Sequence, residues 1–302
     1  MNATELIGEL AARCRFPDGH LHCAVSGGAD SLALLMLAVH VRGAPHVTAW
    51  HVDHGLRAAS DSEASLVQRV ALQVGAGFES RTVTVQGSSN IEARARDARY
   101  AVLPDGVCTG HTADDLAETV LANLLRGAGM DGLSPMQRST PTRVHRPMLG
   151  LRRSETKLVC AQIGVVPFAD PMNQDPAFLR TRIRHRLMPV LDEVAQRDVA
   201  AVLARSAEVI AADVAILDAL ADEIDPTDAR ALRVAPEALA RRSLRRWMTE
   251  AGIDTDRHPP TLATIDRAMA VVRGEAIGCD LLNGWRLTRT QQRLTLVRPG
   301  DR

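Results

Sequence analysis

The stretch at residues 26–31, with the sequence SGGADS, most constrains how this chain can fold. It follows an apolar run at 21–25 that is typical of a buried strand and precedes one at 32–39 that is typical of a helix packed on a sheet. Two glycines between a strand and a helix let a ligand approach the backbone closely, because no Cβ stands in the way. The N–H groups at the helix start favour a bound phosphate. The stretch therefore predicts a phosphate-binding loop.

Two hydroxyl groups and one carboxyl group of this loop extend the prediction. Ser26 and Ser31 supply donors for phosphate oxygens, whereas Asp30 suits a magnesium ion that the phosphates share. No GK[ST] sequence follows, so the loop is not a Walker A loop, and it lacks the GxGxxG pattern of dinucleotide-binding proteins. The alternative is an ordinary glycine-rich turn in which Asp30 or Ser31 only caps the helix.

Strand and helix patterns alternate from residue 21 to residue 126. Right-handed β-α-β units build a parallel sheet with helices on its faces, so we predict an α/β fold with a doubly wound, mostly parallel sheet. Predicted strands cover residues 21–25, 47–52, 78–85 and 107–109, and predicted helices cover residues 32–39, 61–74, 90–103 and 116–126.

Polar clusters follow three of the predicted strands. The first is the phosphate-binding loop, the second includes Asp53 and His54, and the third includes His111 with Asp114 and Asp115. Because ligands bind at the carboxyl ends of parallel strands, we expect the three clusters to meet at one edge of the sheet. Each also has a structural alternative, such as a solvated loop residue for His54 and a helix cap for Asp114.

Arginine-rich segments are the candidates for a nucleic-acid surface. The chain carries 36 basic and 36 acidic residues, so any such surface must be local. No acid occurs from Pro176 to Leu191, and the arginines there repel one another unless an anionic partner is present. These are Arg180, Arg182, Arg184 and Arg186. A second arginine-rich helix, at residues 237–251, predicts either a nucleic-acid contact or a plain surface.

The length of 302 residues predicts more than one domain. We expect a large domain over residues 1–190, a helical linker over 191–223 and a small α+β domain over 224–302, with a mobile glycine-rich loop at 126–133. The five cysteines form no C-x-x-C pair, which favours reduced thiols over a metal cluster or disulfides. Without an apolar run of 18 residues or a signal pattern, we expect a cytoplasmic protein.

Taken in order, these motifs resemble the tRNA(Ile)-lysidine synthase family, whose members carry the PP-loop of N-type ATP pyrophosphatases. The phosphate-binding loop alone marks the wider superfamily, whereas residues 53–57 (DHGLR) and 126–133 (RGAGMDGL) point to this family. Further matching segments lie at residues 93–100, 110–119, 146–149, 170–173 and 180–184. One departure is Leu116, where the family often has glutamine after the paired aspartates.

The resemblance implies an adenine nucleotide alpha hydrolase-like fold and a two-step ligation. ATP adenylates the oxygen on carbon 2 of the wobble cytidine of a tRNA(Ile) with a CAU anticodon, and pyrophosphate leaves. The amine of free L-lysine then displaces AMP to form lysidine, which changes codon and amino-acid identity from methionine to isoleucine. The expected ligands are therefore ATP, Mg²⁺, the tRNA and lysine. No membrane is expected, and a homodimer is left open.

The resemblance also implies roles for single residues. The expected ATP-binding residues are Ser26, Gly27, Gly28, Ala29, Asp30, Ser31, His51, Asp53, Gly110 and His111. Magnesium is expected at Asp30 with Asp114 or Asp115, and the lysine amine, a cation that must lose a proton, at Asp114, Asp115 or Glu118. The expected tRNA-binding residues are Arg94, Arg126, Arg180, Arg182 and Arg184.

Three other functions are weighed against this one. A small-molecule amidotransferase-type synthetase would need an ammonia-supplying domain, for which 302 residues leave no obvious room. A tRNA thiolase of the same superfamily needs a cysteine for persulfide or a cluster, usually in a C-x-x-C pair, and the lone Cys108 at a strand end is a poor substitute. A nucleotide-binding regulator would bind ATP without releasing pyrophosphate.

Overall fold

A computed structural model of the chain describes residues 3–53, 60–84, 91–136, 144–168, 175–253 and 259–300. The chain forms two compact units, residues 1–211 and 212–302, and the division falls within one long helix, Val199–Asp222. The predicted boundaries at residues 190 and 223 stay predictions. Residues 54–57 and 170–173, which belong to two of the motifs, lie outside the described residues together with the predicted His54.

Five parallel strands form the sheet of the first unit in the order β3-β2-β1-β4-β5, which confirms the predicted α/β fold. The strands are β1 (Leu21–Ala24), β2 (Val47–Asp53), β3 (Gly77–Thr82), β4 (Val107–Cys108) and β5 (Val144–His145). The helices are α1 (Ala3–Ala12), α2 (Ala29–Arg42), α3 (Ser60–Gln73), α4 (Ile91–Val102), α5 (Ala113–Leu125), α6 (Met130–Leu133), α7 (Arg153–Gln162), α8 (Leu179–Arg182), α9 (Met188–Ala195) and α10 (Val199–Asp222).

The strand order reverses between β1 and β4. From β1 the chain adds β2 and β3 on one side of the sheet, and it then returns to add β4 and β5 on the other side. Loops at the carboxyl ends of two such strands diverge and leave a crevice between them, where ligands bind in open parallel sheets. The fold therefore places the end of β1 and the end of β4 on either side of the expected ligand site.

β1 and α2 form the centre of the first core, on both sides of the phosphate-binding loop. Leu21 and Cys23 of β1 are buried, and α2 buries Leu32, Leu34 and Leu35 completely. Burial of side chains of this size stabilises a fold by about 1.5–3 kcal/mol each. The loop between the two elements is consequently anchored at both ends by buried side chains.

The segment predicted as a mobile glycine-rich loop contains a short helix, α6. The Asn123 side chain of α5 donates to the Gly132 carbonyl oxygen at 2.9 Å and so ties α6 back to α5. A Cβ on Gly132 would lie only 2.3 Å from the Cβ of Ala128, so glycine is required for this tight turn. Part of the predicted loop is therefore helical, and its mobility stays a prediction.

A π-helical turn, Ile183–Leu187, joins α8 to α9. Pro189, near the start of α9, has no N–H to donate, and its ring crowds the carbonyl group of His185 four residues earlier. A wider turn relieves that conflict, and such turns are frequent at functional sites. Arg184 lies within the turn and points, as described below, to a buried glutamate.

The second unit contains three further helices and an antiparallel sheet, which confirms the predicted α+β class. The helices are α11 (Ala229–Val234), α12 (Glu237–Glu250) and α13 (Leu262–Arg273), and the sheet has the order β6 (Gly278–Asp280), β7 (Arg286–Thr290), β8 (Arg293–Val297). Its core includes Leu232, Leu244, Met248 and Leu287, all nearly inaccessible to solvent. Within the described residues, no helix is both long and apolar enough to cross a membrane.

Candidate active site

The phosphate-binding loop is held by its own two serines. Gly27 has a φ of +87°, a left-handed backbone angle that a side chain would strain. Gly28 is the N-cap of α2, and no side chain in the described part of the chain caps this end, so the alternative of a cap from Asp30 or Ser31 is not realised. The Ser31 hydroxyl donates to the Gly28 carbonyl at 2.9 Å and accepts from the Ser26 N–H at 3.1 Å.

Gly110, directly after β4 and Thr109, lies against the same loop. A Cβ on Gly110 would stand 2.8 Å from the Asp30 carbonyl oxygen and 3.1 Å from the Ser31 nitrogen. A side chain there would push the two backbones apart, so the close approach requires glycine. The end of β4 and the start of α2 are therefore in direct backbone contact.

A cavity of about 1030 Å³ opens at this edge of the sheet. The structure brings the three predicted clusters together around it, because every residue predicted to bind ATP lines the cavity except Gly27, and Asp115 lines it too. The predicted residues that line it are Ser26, Gly28, Ala29, Asp30, Ser31, His51, Asp53, Gly110 and His111. A volume of this size is at the upper end of what small-molecule sites enclose.

The two histidines of the cavity are oriented by hydrogen bonds. His51 is almost fully buried, and its Nδ1 lies 2.9 Å from the Val25 carbonyl oxygen at the end of β1. A carbonyl only accepts, so Nδ1 carries the proton and Nε2 is left to interact elsewhere. The Nδ1 of His111 lies 2.8 Å from the Thr109 hydroxyl. Both rings are thus fixed before any ligand binds.

Arg153, at the start of α7, joins the predicted carboxylates into one cluster. Its guanidinium group lies 2.7 Å from Asp115, 2.9 Å from Glu118 and 3.5 Å from Asp30. The Thr156 hydroxyl, on the same helix, donates to Asp30. Asp30 of the phosphate-binding loop and the acids of α5 therefore share one basic partner, although 84 residues and more separate them in the sequence.

Glu118 is the most deeply buried acid of the cluster, with a side chain 3% exposed. Arg184 binds it with both arms, from Nε at 2.7 Å and from Nη2 at 3.0 Å, and Arg153 adds a third hydrogen bond. Arg180 lies 3.6 Å from Glu118 and 3.5 Å from Asp115. A carboxylate buried to this degree is stable only when its charge is compensated in this way.

Asp114 is not brought into the cavity with the other acids. Its two oxygens each accept from Arg152 at 3.0 Å, and one also accepts from the Arg153 N–H at 2.8 Å. Arg152 in turn pairs with Asp198 at the start of α10. Asp114 therefore holds the start of α7 against α5, and it is not among the residues that line the cavity.

The acids of the site differ in protonation behaviour. Burial and the nearby Asp115 raise the pKa of Asp30, against the opposing hydrogen bond from Thr156 and the charge of Arg153. Burial acts to raise the pKa of Asp115, but Arg153, His111, the Thr112 N–H and Arg180 together hold it below its ordinary value. Burial also acts to raise the pKa of Asp114. The Arg152 side chain and the Arg153 N–H outweigh that effect, so the pKa of Asp114 is lowered.

The arginines predicted to bind tRNA fall into different places. Arg94 and Arg126 are exposed on α4 and at the end of α5. Arg182 donates to the carbonyl groups of Pro176 and Ala177, both at 2.7 Å. Arg180 and Arg184 meet the acids of α5, so these two have anionic partners within the chain itself. The local sequence contains no acid, but α5 supplies two.

The sequence predictions missed the residues that join the clusters, namely Arg152, Arg153, Thr156 and Lys157 of α7 and its N-cap. The sequence did contain an indication of this cluster. Two arginines at the start of a helix are repelled by the positive end of the helix dipole, so acidic partners are expected nearby. They also follow β5, a strand end at which no polar cluster was predicted.

Magnesium fits the donor set of this site as an ion shared with phosphates. No group of three histidine, cysteine, aspartate or glutamate side chains within the described residues forms a metal cage. Mg²⁺ in nucleotide sites needs only one or two carboxylates besides phosphate oxygens. Asp30 and Asp115 both line the cavity. Burial raises the pKa of Asp30, so a cation beside this carboxylate would stabilise its charged form.

Comparison with known proteins gives consistent matches over most of the chain. The PP-loop domain family matches residues 2–191. A tRNA(Ile)-lysidine synthase of Nocardia farcinica is 41% identical over 295 residues and covers 91% of each chain. A tRNA(Ile)-lysidine synthase of Mycobacterium leprae is 36% identical over 283 residues and covers 87% of this chain and 86% of its own.

A solved structure with a similar fold is the U34-tRNA thiolase NcsA from Methanococcus maripaludis with its [4Fe-4S] cluster. Its TM-score is 0.54 at 16% identity, over 69% of this chain and 78% of that chain. At that identity the likeness concerns the fold alone. All five cysteines of the present chain are free thiols, and three of them, Cys23, Cys108 and Cys160, are buried.

Proposed function

The chain belongs to the tRNA(Ile)-lysidine synthase family of PP-loop proteins, and we propose that it ligates L-lysine to carbon 2 of the wobble cytidine of a CAU-anticodon tRNA(Ile) at the expense of ATP. The observation that carries the proposal is the cavity at the β1/β4 switch point. It combines a glycine loop at a helix N-terminus with carboxylates that suit two cationic ligands, a magnesium ion and a lysine ammonium. An enzyme of this kind works where tRNA and ATP are present, which supports a cytoplasmic location.

Binding of ATP is assigned to the phosphate-binding loop and the ends of β2 and β4. The backbone N–H groups at the start of α2 face phosphate oxygens, and Ser26 adds a hydroxyl donor. Asp30 would hold a magnesium ion, which when bound offsets charge that develops on the leaving pyrophosphate. Asp114 is not included, because it is not among the residues that line the cavity.

The lysine amine is assigned to Asp115. Its lowered pKa keeps the carboxylate charged at neutral pH, and it faces the cavity, whereas Glu118 lies behind it among three arginines. A charged acceptor beside the ammonium group attracts the substrate and orients the amine. The amine becomes nucleophilic once it loses a proton to an acceptor in the cavity.

Binding of the tRNA is assigned to the arginines at the rim. Arg180 contacts Asp115 of the cavity, Arg182 lies on the same helix α8, and Arg94 and Arg126 are exposed on α4 and at the end of α5. Arginine forks suit phosphate oxygens, and such contacts position the RNA without reading its sequence. Arg184 has a different place, because both its arms are bound to Glu118. The target cytidine must leave its base stack to reach the cavity.

The test is a reconstituted reaction with labelled lysine, ATP, Mg²⁺ and a transcript of tRNA(Ile) with a CAU anticodon. We expect label to enter the tRNA with release of AMP and pyrophosphate. A transcript with uridine at the wobble position serves as the matched control, and we expect no label in it. Asp30→Ala should abolish pyrophosphate release while circular dichroism and the melting profile show a folded protein.

Three results would contradict the proposal. Binding of ATP with no tRNA-dependent pyrophosphate release would favour a nucleotide-binding regulator. Full turnover by Asp30→Ala would remove the proposed role of the phosphate-binding loop. Transfer of sulfur in place of lysine, tested with a labelled sulfur donor, would favour the thiolase chemistry of the structurally similar protein.

A further inference from the structure

Lys157 is the only lysine of the chain, and it lines the cavity. The other lysine or arginine side chains that line it are Arg99, Arg153 and Arg184, and each of these already has an interaction partner. For Lys157, the described part of the structure shows no ion pair and no hydrogen bond. Its ammonium group is thus the cation of this cavity that remains available to a ligand.

The helix turn that carries Lys157 packs directly on the phosphate-binding loop. Thr156, one residue earlier, donates to the Asp30 carboxylate, and the Cys160 thiol, one turn later, contacts the Ala29 carbonyl oxygen at 3.5 Å. Arg153, four residues before Lys157, also reaches Asp30. Residues four apart on a helix lie on one face, so Lys157 belongs to the face of α7 that borders the start of α2.

The charges that line the cavity sum to zero. Four carboxylates, Asp30, Asp53, Glu63 and Asp115, stand against four basic side chains, namely Arg99, Arg153, Lys157 and Arg184. A triphosphate brings several negative charges into this space, and Arg153 and Arg184 are occupied by acids. A lysine on a flexible stem is a point charge that can follow phosphate oxygens, in contrast to a guanidinium fork fixed by its partners.

We propose that the Lys157 ammonium binds the β- or γ-phosphate of ATP and so gives the cavity its preference for a triphosphate over a monophosphate. The choice of ATP as the ligand rests on the proposed function. The assignment of Lys157 does not follow from any motif of the sequence, since neither the phosphate-binding loop nor the other matching segments contain it. It follows from the position of α7 against the loop and from the engagement of the neighbouring arginines.

The test compares Lys157→Met with Lys157→Arg in the full chain. ATP and AMP binding are measured by calorimetry with Mg²⁺ but without tRNA or lysine, and tRNA binding is measured separately by filter retention. For Lys157→Met we expect ATP affinity to fall about ten-fold, the size expected for one charge-assisted contact, with AMP and tRNA affinity unchanged. Lys157→Arg should keep most of the ATP affinity. Arg205→Met, which removes an exposed charge of the same unit outside the cavity, should change none of the three.

Three results would overturn the inference. They are unchanged ATP affinity in Lys157→Met, an equal loss of ATP and AMP affinity, and a loss of tRNA affinity alone, which would assign the lysine to an RNA phosphate. Because ATP binding is measured without tRNA and lysine, the outcome is independent of the reaction product. A wild-type protein that binds ATP but forms no lysidine would contradict the proposed function. The comparison of Lys157→Met with Lys157→Arg would still decide the role of Lys157.

Discussion

Arginines and acids pair in both units, but they do so in different surroundings. In the first unit, Arg153 and Arg184 enclose Glu118, whose side chain is 3% exposed, at the border of a cavity. In the second unit, Arg241, Arg242 and Arg246 of α12 pair with acids of α10, α12 and α13. The side chains of these acids are between 34% and 65% exposed. From the sequence, an anionic partner is expected for the arginines at 180–186, whereas the helix at 237–251 predicts either a nucleic-acid contact or a plain surface.

The difference in burial distinguishes a charge cluster that belongs to a functional site from one that belongs to the surface. Charges removed from water are costly, so a buried cluster persists only with full compensation, and loss of one member leaves its partners unpaired. Exposed pairs are hydrated and screened, and each contributes about 0–1 kcal/mol. The pairing of α12 within its own unit favours the interpretation of that helix as a plain surface. The cluster of the first unit instead borders the proposed ATP and lysine sites.

The largest expected contrast is between Arg153→Met and Arg241→Met. Loss of Arg153 leaves Asp115 and Glu118 short of a partner, and we expect a loss of about 3–5 kcal/mol in the free energy of unfolding. That corresponds to a melting temperature lower by on the order of 10 °C for a unit of this size. Arg241→Met should cost less than about 1 kcal/mol. Calorimetry on both variants measures the difference, and equal losses would contradict the distinction between buried and exposed clusters.

A second contrast concerns tRNA binding by Arg182→Glu and Arg246→Glu. We expect the first change to weaken tRNA binding about ten-fold, since it replaces a proposed phosphate contact with a repelling charge. ATP affinity should change less than about two-fold, and Arg246→Glu should change neither. Titration of labelled tRNA at two salt concentrations measures the effect. Equal loss of tRNA and ATP affinity in Arg182→Glu would show that Arg182 mainly holds Pro176 and Ala177 in place.

A third contrast is one of sign, between Asp30→Asn and Asp225→Asn. The pKa of Asp30 is raised, mainly by burial, so its charged form destabilises the fold above that pKa. Asp30→Asn should raise the melting temperature by a few degrees at pH 7, an order of magnitude typical of one such group, and the gain should vanish as the pH falls through the raised pKa.

Asp225 is the matched control in the second unit. Hydrogen bonds from Thr227 lower its pKa, so the stability that it contributes is present above its ordinary value of 3.8 and is lost as the pH falls below that value. Asp225→Asn should therefore lower the melting temperature slightly at pH 7. Melting curves between pH 3 and pH 8 test both signs, and a lower melting temperature for Asp30→Asn at pH 7 would refute the first.

The smallest expected effect is that of Arg246→Ala. Arg246 pairs with Asp218 at 3.1 Å and with Asp222 at 3.0 Å, and all three side chains are at least one third exposed. We expect a loss of less than about 1 kcal/mol that disappears in 1 M salt, where screening acts over about 3 Å. Denaturant titrations at low and high salt measure it. A loss that persists in high salt would mean that the pair is held in a less hydrated place than its exposure suggests.

Local patterns predicted the fold class and the edge of the sheet where the site lies. The apolar run at β1, the glycine pair after it and the alternation of strands and helices each depend on neighbours in sequence. These are the features that backbone sterics and burial impose directly. Polar clusters after β1, β2 and β4 therefore met as expected, and nine of the ten residues predicted to bind ATP line one cavity.

The pairing of charges could not be predicted from such patterns. The arginines at 180 and 184 have no acid nearby in sequence, and their partners lie on α5, more than 60 residues earlier. Asp114 and Asp115 are adjacent in sequence, yet one faces Arg152 and the other faces the cavity, because successive helix residues point in directions about 100° apart. Only the packing of α5, α7 and the π-helical turn decides which charges meet.

The close backbone contact at Gly110 limits which substitutions the pocket can accept. Rim residues such as Val166 stand mostly in solvent and can vary in size without moving the sheet. One added methyl group at position 110 would wedge between two elements that now touch, and it would shift the Asp30 carbonyl together with the adjoining amide of Ser31. The evolution of a new specificity in this protein therefore has freedom at the outer wall of the pocket and almost none at its floor.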